Sequence, residues 1–418
     1  MISDPSLDFV EGERVELTVG APAHGGHCVA RLDNRVFFVR HALPGERITA
    51  EITERHRGYL RADAVEILEA APDRVTPPCP YAHPGGCGGC DLQHVAGDAQ
   101  LRWKGAVVTE LLQRMAGISR TVRVEPLPAD DVLLGWRSRI RYAVDAQGRP
   151  GLLQHRSNQV VPIERCLISH PAIQDLDLLA RDWPEADAVE VAATTGGDVA
   201  VLIRPTGEGA LPTDDPIDGA PSGGRLQILG PPRVLEVAAG RDWRVPPEGF
   251  WQIHPAAADT LAATVVELLR PADGEVAWDL YGGAGLFAAA VAERTGARMT
   301  VVESSPAGCA AARANLADRP AVEVVEARVE NALQRRRVTG PVDLVVLDPP
   351  RSGAGAQVVR AIAGAGPRAI AYVACDPAAL ARDLKTFGEL GWRLTELRAF
   401  DCFPMTQHVE CVALIERA

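Results

Sequence analysis

The 418-residue sequence contains no apolar run approaching the roughly twenty residues that a bilayer-spanning helix requires. Its opening residues, MISDPSLDFVEGERVE, have neither the basic start nor the apolar middle of a secretory leader. The expected location is therefore the cytoplasm, with no membrane partner. A basic excess is also missing, since 43 Lys and Arg stand against 55 Asp and Glu for a net charge of -12. Phosphate contacts need a cationic face, so a nucleic-acid partner requires local gathering of positive charge. Two such gatherings exist, Arg137, Arg139 and Arg141 in GWRSRIRYAV, and Arg55, Arg57 and Arg61 nearer the N-terminus. Internal repeats and low-complexity tails are absent, and a monomer is expected.

Nine cysteines cannot all pair, and three of them fall between positions 79 and 90. In a chain expected to be cytoplasmic that pattern favours metal binding or catalysis over disulfides.

A length of 418 residues exceeds the usual single domain, and a hydrophobic fraction of 47% supports sizeable cores. Three units are expected. Residues 1–70 alternate polar and apolar positions in RVELTV, RVFFVR and RITAEI between turn-rich stretches, which predicts a small OB-like β-barrel. Residues 71–245 begin with a Pro, Gly and Cys-rich segment that suits a metal-bound loop, pass through a helical stretch at 101–116, and become mainly β. That last part includes a polar loop around GEGALPTDDPIDGAPSGG. Residues 246–418 alternate helices with the continuous apolar runs VAWDLY, MTVVE, VEVV, VDLVVLD and AIAYVA. Such runs are expected of parallel strands covered on both faces, hence a doubly wound, Rossmann-like α/β domain.

Within that domain the candidate site residues fall at strand ends. Tyr281-Gly282-Gly283-Ala284-Gly285 follows the run VAWDL, and glycines there let a ligand approach the backbone. A tight connection needs no ligand by itself. However, Glu303 closes the next run about twenty residues later, where a carboxylate can accept both ribose hydroxyls. The turn is not G-x-G-x-x-G, and Asp279 precedes it, which suits the amino group of S-adenosylmethionine better than a dinucleotide pyrophosphate. Asp348 opens Asp348-Pro349-Pro350-Arg351, where Arg351 stands in place of the aromatic used by amino-group methyltransferases. As an alternative, Asp348 caps a helix.

Cys375 ends the run AIAYVA just before the helical AALARDLKTF. A helix N-terminus lowers a thiol pKa, so a thiolate nucleophile is expected, against the plainer alternative of a buried structural cysteine. Glu410 and His408, in FPMTQHVECVALIE, are candidate bases.

Together ALPGE, the cysteine cluster, FWQIHP, DLYGGAGLF, LDPPRSG, YVACDPAALARDL and FDCFPMTQHVE resemble the uracil-5 RNA methyltransferase family over nearly the whole chain. The resemblance implies a TRAM-type barrel, an RNA substrate, Cys375 as nucleophile and Glu410 as proton acceptor. It also implies Gln252, Tyr281, Gly283, Glu303 and Asp348 as contacts for S-adenosylmethionine. Cys79, Cys87, Cys90 and Cys166 are similar to the cysteines that hold a [4Fe-4S] cluster in that family, although four thiolates also suit zinc. Ribosomal RNA is the expected substrate, with transfer RNA the alternative. Three positions depart from the family pattern: Leu286 and Ala327 replace polar cofactor contacts, and Asp376 replaces an Asn after the nucleophile. The departures at Leu286 and Ala327 motivate one competing expectation, a non-catalytic iron-sulfur RNA-binding protein; an amino-group methyltransferase is a further alternative.

Overall fold

The computed structural model describes residues 9–128, 133–206, 224–296 and 298–418. The loop GEGALPTDDPIDGAPSGG lies outside the described residues apart from Gly224.

The N-terminal strands Arg14–Ala23, His27–Leu32, Arg35–Arg40, Arg47–Arg55 and Leu60–Glu69 close into a barrel. Alternation decides which side chains fill it, with Val15, Leu17 and Val19 inward and their neighbours in solvent. The two-residue turn between His27–Leu32 and Arg35–Arg40 places Asp33 and Asn34 at φ of 48° and 61°. Both are among the few side chains that tolerate that region, and this geometry matches the twist of a hairpin.

Six antiparallel strands form the central sheet, in the order Leu226–Leu229, Val199–Pro205, Ala186–Ala193, Arg139–Val144, Pro150–Leu153 and Val160–Pro162. Its core contains Trp136, Ile140, Tyr142, Val189 and Val191.

An eight-stranded sheet dominates the C-terminal half. Its order is Val322–Glu326, Met299–Glu303, Ala277–Leu280, Leu344–Leu347, Ala369–Ala374, Glu410–Arg417, Trp392–Asp401 and Val124–Pro126. The first five strands are parallel, and all five match the expected apolar runs. Three of them are buried at every residue, as strands with helices on both faces must be. Helices Ala257–Leu269, Leu286–Thr295 and Pro306–Asn315 cover one face. Val329–Gln334, Gly355–Ala365 and Pro377–Glu389 cover the other.

Helix Gly97–Leu111, with its π-turn Leu112–Ala116, packs Val108 and Leu112 into this second face. Strand Val124–Pro126 pairs in parallel with Trp392–Asp401 at the sheet edge. In space these elements extend the C-terminal sheet, although by sequence they fall in the 71–245 unit. Their apolar residues are the reason, since Val108, Leu112, Val122 and Val124 share a core with Trp278 and Tyr372. No helix among the described residues is long and apolar enough to cross a membrane.

Candidate active site

Strand order reverses between Ala277–Leu280 and Leu344–Leu347, and a crevice opens at the carboxyl ends of strands wherever that happens. The turn after Ala277–Leu280 forms one wall. Tyr281 adopts φ of 68°, a left-handed conformation rarely used by an aromatic residue. Gly282 permits the turn to close, because a Cβ there would lie 2.5 Å from a Val301 methyl and 3.0 Å from Asp279 Oδ2. Asp279 is fully buried; its Oδ2 accepts from the Ala288 amide at 2.9 Å while Oδ1 has no partner. Burial, reinforced by Glu303, pushes its pKa up to about 7.

Glu303 faces the turn from the end of Met299–Glu303. Its Oε2 accepts from the Gly283 amide at 3.0 Å, and Oε1 accepts from the amides of Ser304 and Ser305 at 2.7 and 2.6 Å. Three backbone amides thus hold this carboxylate across the crevice from the glycine turn. The Ala327 amide donates to the Glu303 carbonyl at 2.8 Å, and Leu286 is the buried first residue of its helix.

Asp348 follows Leu344–Leu347, and its own amide donates to the Leu280 carbonyl at 3.3 Å. Burial and then Asp279 raise its pKa to about 7. The loop beyond it is secured by Asp383, a buried residue absent from the sequence expectations. One carboxylate oxygen, Oδ2, accepts from Tyr372 Oη at 2.7 Å and from the amides of Ala354 and Gly355 at 2.8 and 3.3 Å. The only sequence signal for Asp383 was its place inside YVACDPAALARDL.

Cys375 sits at the junction of strand Ala369–Ala374 with helix Pro377–Glu389. Glu410 begins the antiparallel neighbour, where Ala374 pairs with Cys411, so the register sets Glu410 beside Cys375. The thiol pKa is not lowered as expected from the helix terminus; it is pushed up to about 12 by burial, then by Glu410 and Asp348. Desolvation and several carboxylates outweigh a half-charge of dipole. Asp376 is engaged as the helix cap, its Oδ1 accepting from the Ala379 amide at 2.7 Å. Arg351 is the cation that faces this group, lowering the pKa of both Cys375 and Glu410.

Glu410 is 3% exposed, and burial followed by Asp348 holds its carboxyl well above the usual range. His408, the other candidate base, has both ring nitrogens engaged, with Nε2 3.4 Å from Arg351 and Nδ1 3.1 Å from Gln407. Burial and Arg351 push its pKa down to about 3. Cys375, Glu410, Asp348 and Arg351 therefore share one neighbourhood, joined through Asp348 to Asp279, Gly283 and Glu303. Gln252 is buried in the loop 246–256, and the hydrogen bonds above do not reach it.

Cys79, Cys87, Cys90 and Cys166 all line one cavity, walled by Leu152, Ile163 and Ile168. Burial raises the Cys79 thiol and takes Cys87 to about 11. As placed, no three His, Cys, Asp or Glu side chains among the described residues converge tightly enough to hold an ion.

The two basic gatherings separate in role. Arg139 is consumed internally, pairing with Glu236 at 2.8 Å and donating to the carbonyls of Pro247 and Gly249. Arg61 pairs with Glu54 at 2.9 Å and also lies over the Tyr59 ring at 5.6 Å. Arg61 and Tyr59 line a crevice of about 520 Å³ between barrel and central sheet, with Phe38, His155 and Arg156. His24 and His408 also line it, which brings it to the edge of the Cys375 neighbourhood.

Known proteins resemble the chain at every level of this description. Residues 9–65 match the TRAM domain family, and residues 234–418 match the family described as tRNA (Uracil-5-)-methyltransferase. A protein of Streptomyces avermitilis, named an uncharacterized RNA methyltransferase, is 48% identical over 97% of this chain and 99% of its own length. One of Corynebacterium efficiens with the same description is 34% identical over 100% of this chain and 98% of its own. The fold is that of a Pyrococcus abyssi tRNA (uracil-54, C5)-methyltransferase solved with S-adenosyl-L-homocysteine, at TM-score 0.72 and 24% identity, covering 96% of this chain and 100% of that one. With its barrel, its doubly wound sheet and full-length relatives of this kind, the chain belongs to the TRAM-containing family of S-adenosylmethionine-dependent RNA uracil-5 methyltransferases.

Proposed function

We propose that the protein methylates carbon 5 of a uridine in RNA, with Cys375 as nucleophile and Glu410 as base. Carbon 5 of uracil is a weak nucleophile. Addition of the Cys375 thiolate to carbon 6 generates an enolate with nucleophilic character at carbon 5. S-adenosylmethionine, when bound, supplies the electrophilic methyl group. Glu410 then takes the carbon 5 proton, and departure of the Cys375 sulfur restores the ring double bond. Arg351 faces both Cys375 and Glu410 and favours their ionised forms. The observation that carries the reading is the register that sets Glu410 beside Cys375 on the strand edge shared with Asp348. Cys375→Ala is expected to abolish methyl transfer while calorimetry still shows S-adenosylmethionine binding; full activity in that variant would overturn the reading.

The crevice suits S-adenosylmethionine on two observations. Asp279 keeps a buried acceptor without a partner, and the Gly282 turn leaves no room for a side chain. Gly283, Tyr281, Glu303 and Asp348 are proposed to hold the ligand, with Gln252 closing the site from the loop 246–256. Four thiols lining one cavity likewise suit a soft metal centre, and Cys79, Cys87, Cys90 and Cys166 are proposed to hold a [4Fe-4S] cluster. Such a centre would cross-link the loop to the central sheet.

Ribosomal RNA is favoured by the combination of TRAM barrel and cysteine quartet. Transfer RNA is favoured by the description of the family matched at 234–418 and by the substrate of the Pyrococcus abyssi protein. Mass spectrometry of 5-methyluridine in both RNAs, with and without the gene, distinguishes them.

A further inference from the structure

A barrel residue reaches the nucleophile's turn. His24 lies in the turn between strands Arg14–Ala23 and His27–Leu32, and its Nε2 stands 3.2 Å from Asp376 Oδ2. The contact is built in. Gly26 adopts φ of 77°, and a Cβ on it would lie 2.8 Å from Asp91 Cβ, so the turn sits flat against Asp91. Asp91 is tied in turn to Arg40 of the barrel at 3.4 Å, and to the segment leading to Glu410, accepting from the Gln407 amide at 3.2 Å while its own amide donates to the Met405 carbonyl at 3.1 Å.

Asp376 is one of the departures from the family pattern. Asn would cap helix Pro377–Glu389 without charge, whereas Asp376 brings a third carboxylate to a thiol already faced by Asp348 and Glu410. Arg351 is the opposing cation; Cys411 of the last strand also adjoins, and Arg382 faces Asp376 from its own helix. One Asp376 oxygen is committed to the Ala379 amide, and the other to His24.

We propose that His24, delivered by the docked barrel, is a positioning residue that holds the charge of Asp376 away from Cys375 and so keeps the nucleophile competent. The inference rests on Cys375 being the nucleophile. In the absence of the His24 donor, that carboxylate oxygen is no longer held, and the Asp376 charge opposes thiolate formation at Cys375 more strongly. A single nearby charge moves a pKa by about one unit, or about tenfold in thiolate at fixed pH.

The test measures kcat, KM for each substrate and the rate of covalent capture by 5-fluorouridine RNA with S-adenosylmethionine, from pH 6 to 9, in the full-length protein. His24→Ala is expected to lower kcat and capture about tenfold at pH 7, to displace the alkaline rise upward, and to leave KM for S-adenosylmethionine unchanged. His24→Gln, which restores a donor, is expected to recover most of the loss. In an Asp376→Asn background, His24→Ala is expected to have no further effect. If His24→Ala fails to fold by circular dichroism, His24→Phe keeps the bulk without the donor and carries the comparison. An unchanged pH profile, or an equal loss in the Asp376→Asn background, overturns the proposal. Absence of any Cys375 adduct in the unmutated protein overturns the nucleophile instead.

Discussion

Burial raises the pKa of both Glu410 and Cys375, with Arg351 opposing the shift at each, and the proposed base has a measurable signature. Glu410→Gln keeps size and burial but cannot accept a proton. Natural RNA is expected to accumulate as a covalent adduct on that variant, with turnover reduced about a hundredfold or more; gel-shifted protein resistant to denaturation reports it, and normal turnover sinks the assignment. Asp279 offers a test through stability. Its folded pKa of about 7 lies above its ordinary value of 3.8. Its contribution is therefore fully present below pH 4 and lost as pH rises through 7. Asp279→Asn keeps an oxygen for the Ala288 amide, so the variant should gain on the unmutated protein between pH 4 and 8. The gain is on the order of a few kcal/mol, read by urea unfolding at both pH values. A difference independent of pH would contradict it. Much of this residue chemistry was legible, because Glu303, Asp348 and Cys375 each close an apolar run. The thiol pKa was not legible, since the sequence exposes the helix terminus but hides which carboxylates converge on Cys375 from distant strands.

Loops at the strand ends owe their shape to groups on other elements. Helix Pro377–Glu389 contributes Asp383, which gathers Tyr372 Oη and two amides of the loop after Asp348. Tyr372→Phe removes the hydroxyl from a fully buried site, leaving Asp383 short of a donor. A loss of about 1 to 3 kcal/mol is expected, with weaker S-adenosylmethionine binding if the loop shifts; chemical unfolding and calorimetry measure the two separately. The parallel strands were readable because double-sided burial demands continuous apolar runs. Strand Val124–Pro126 was not. Three residues reading VEP show no period, and only pairing with Trp392–Asp401 makes them a strand. The docking of helix Gly97–Leu111 was likewise invisible, because its apolar residues serve two different cores.

Across the whole molecule, three layers meet around the segment 401–408. Lys104 is buried against Asp401 and donates to the Phe403 carbonyl, while Gln100 accepts from the Met405 amide. Leu92, two residues beyond Cys90, donates its amide to the Met405 carbonyl at 2.9 Å. Loss of order in the cysteine loop is thereby expected to reach the chain that leads to Glu410. Cys90→Ser, or removal of the proposed metal centre by a chelator, is expected to lower the melting temperature and to reduce methyl transfer together; limited proteolysis should show cleavage within 79–90. Unaltered activity with a cleaved loop would show that the layers are independent. The three-unit division was visible in composition, but its joints were not, because they consist of single long-range bonds.

The register that sets Glu410 beside Cys375 also imposes an order on biosynthesis. Strand Glu410–Arg417 inserts between Ala369–Ala374 and Trp392–Asp401, both of which leave the ribosome before it. Until then the sheet stays open at its middle, with Cys375 made but Glu410 not yet translated. On the proposed roles of Cys375 and Glu410, a nascent chain is expected to stay inactive until strand Glu410–Arg417 closes the gap.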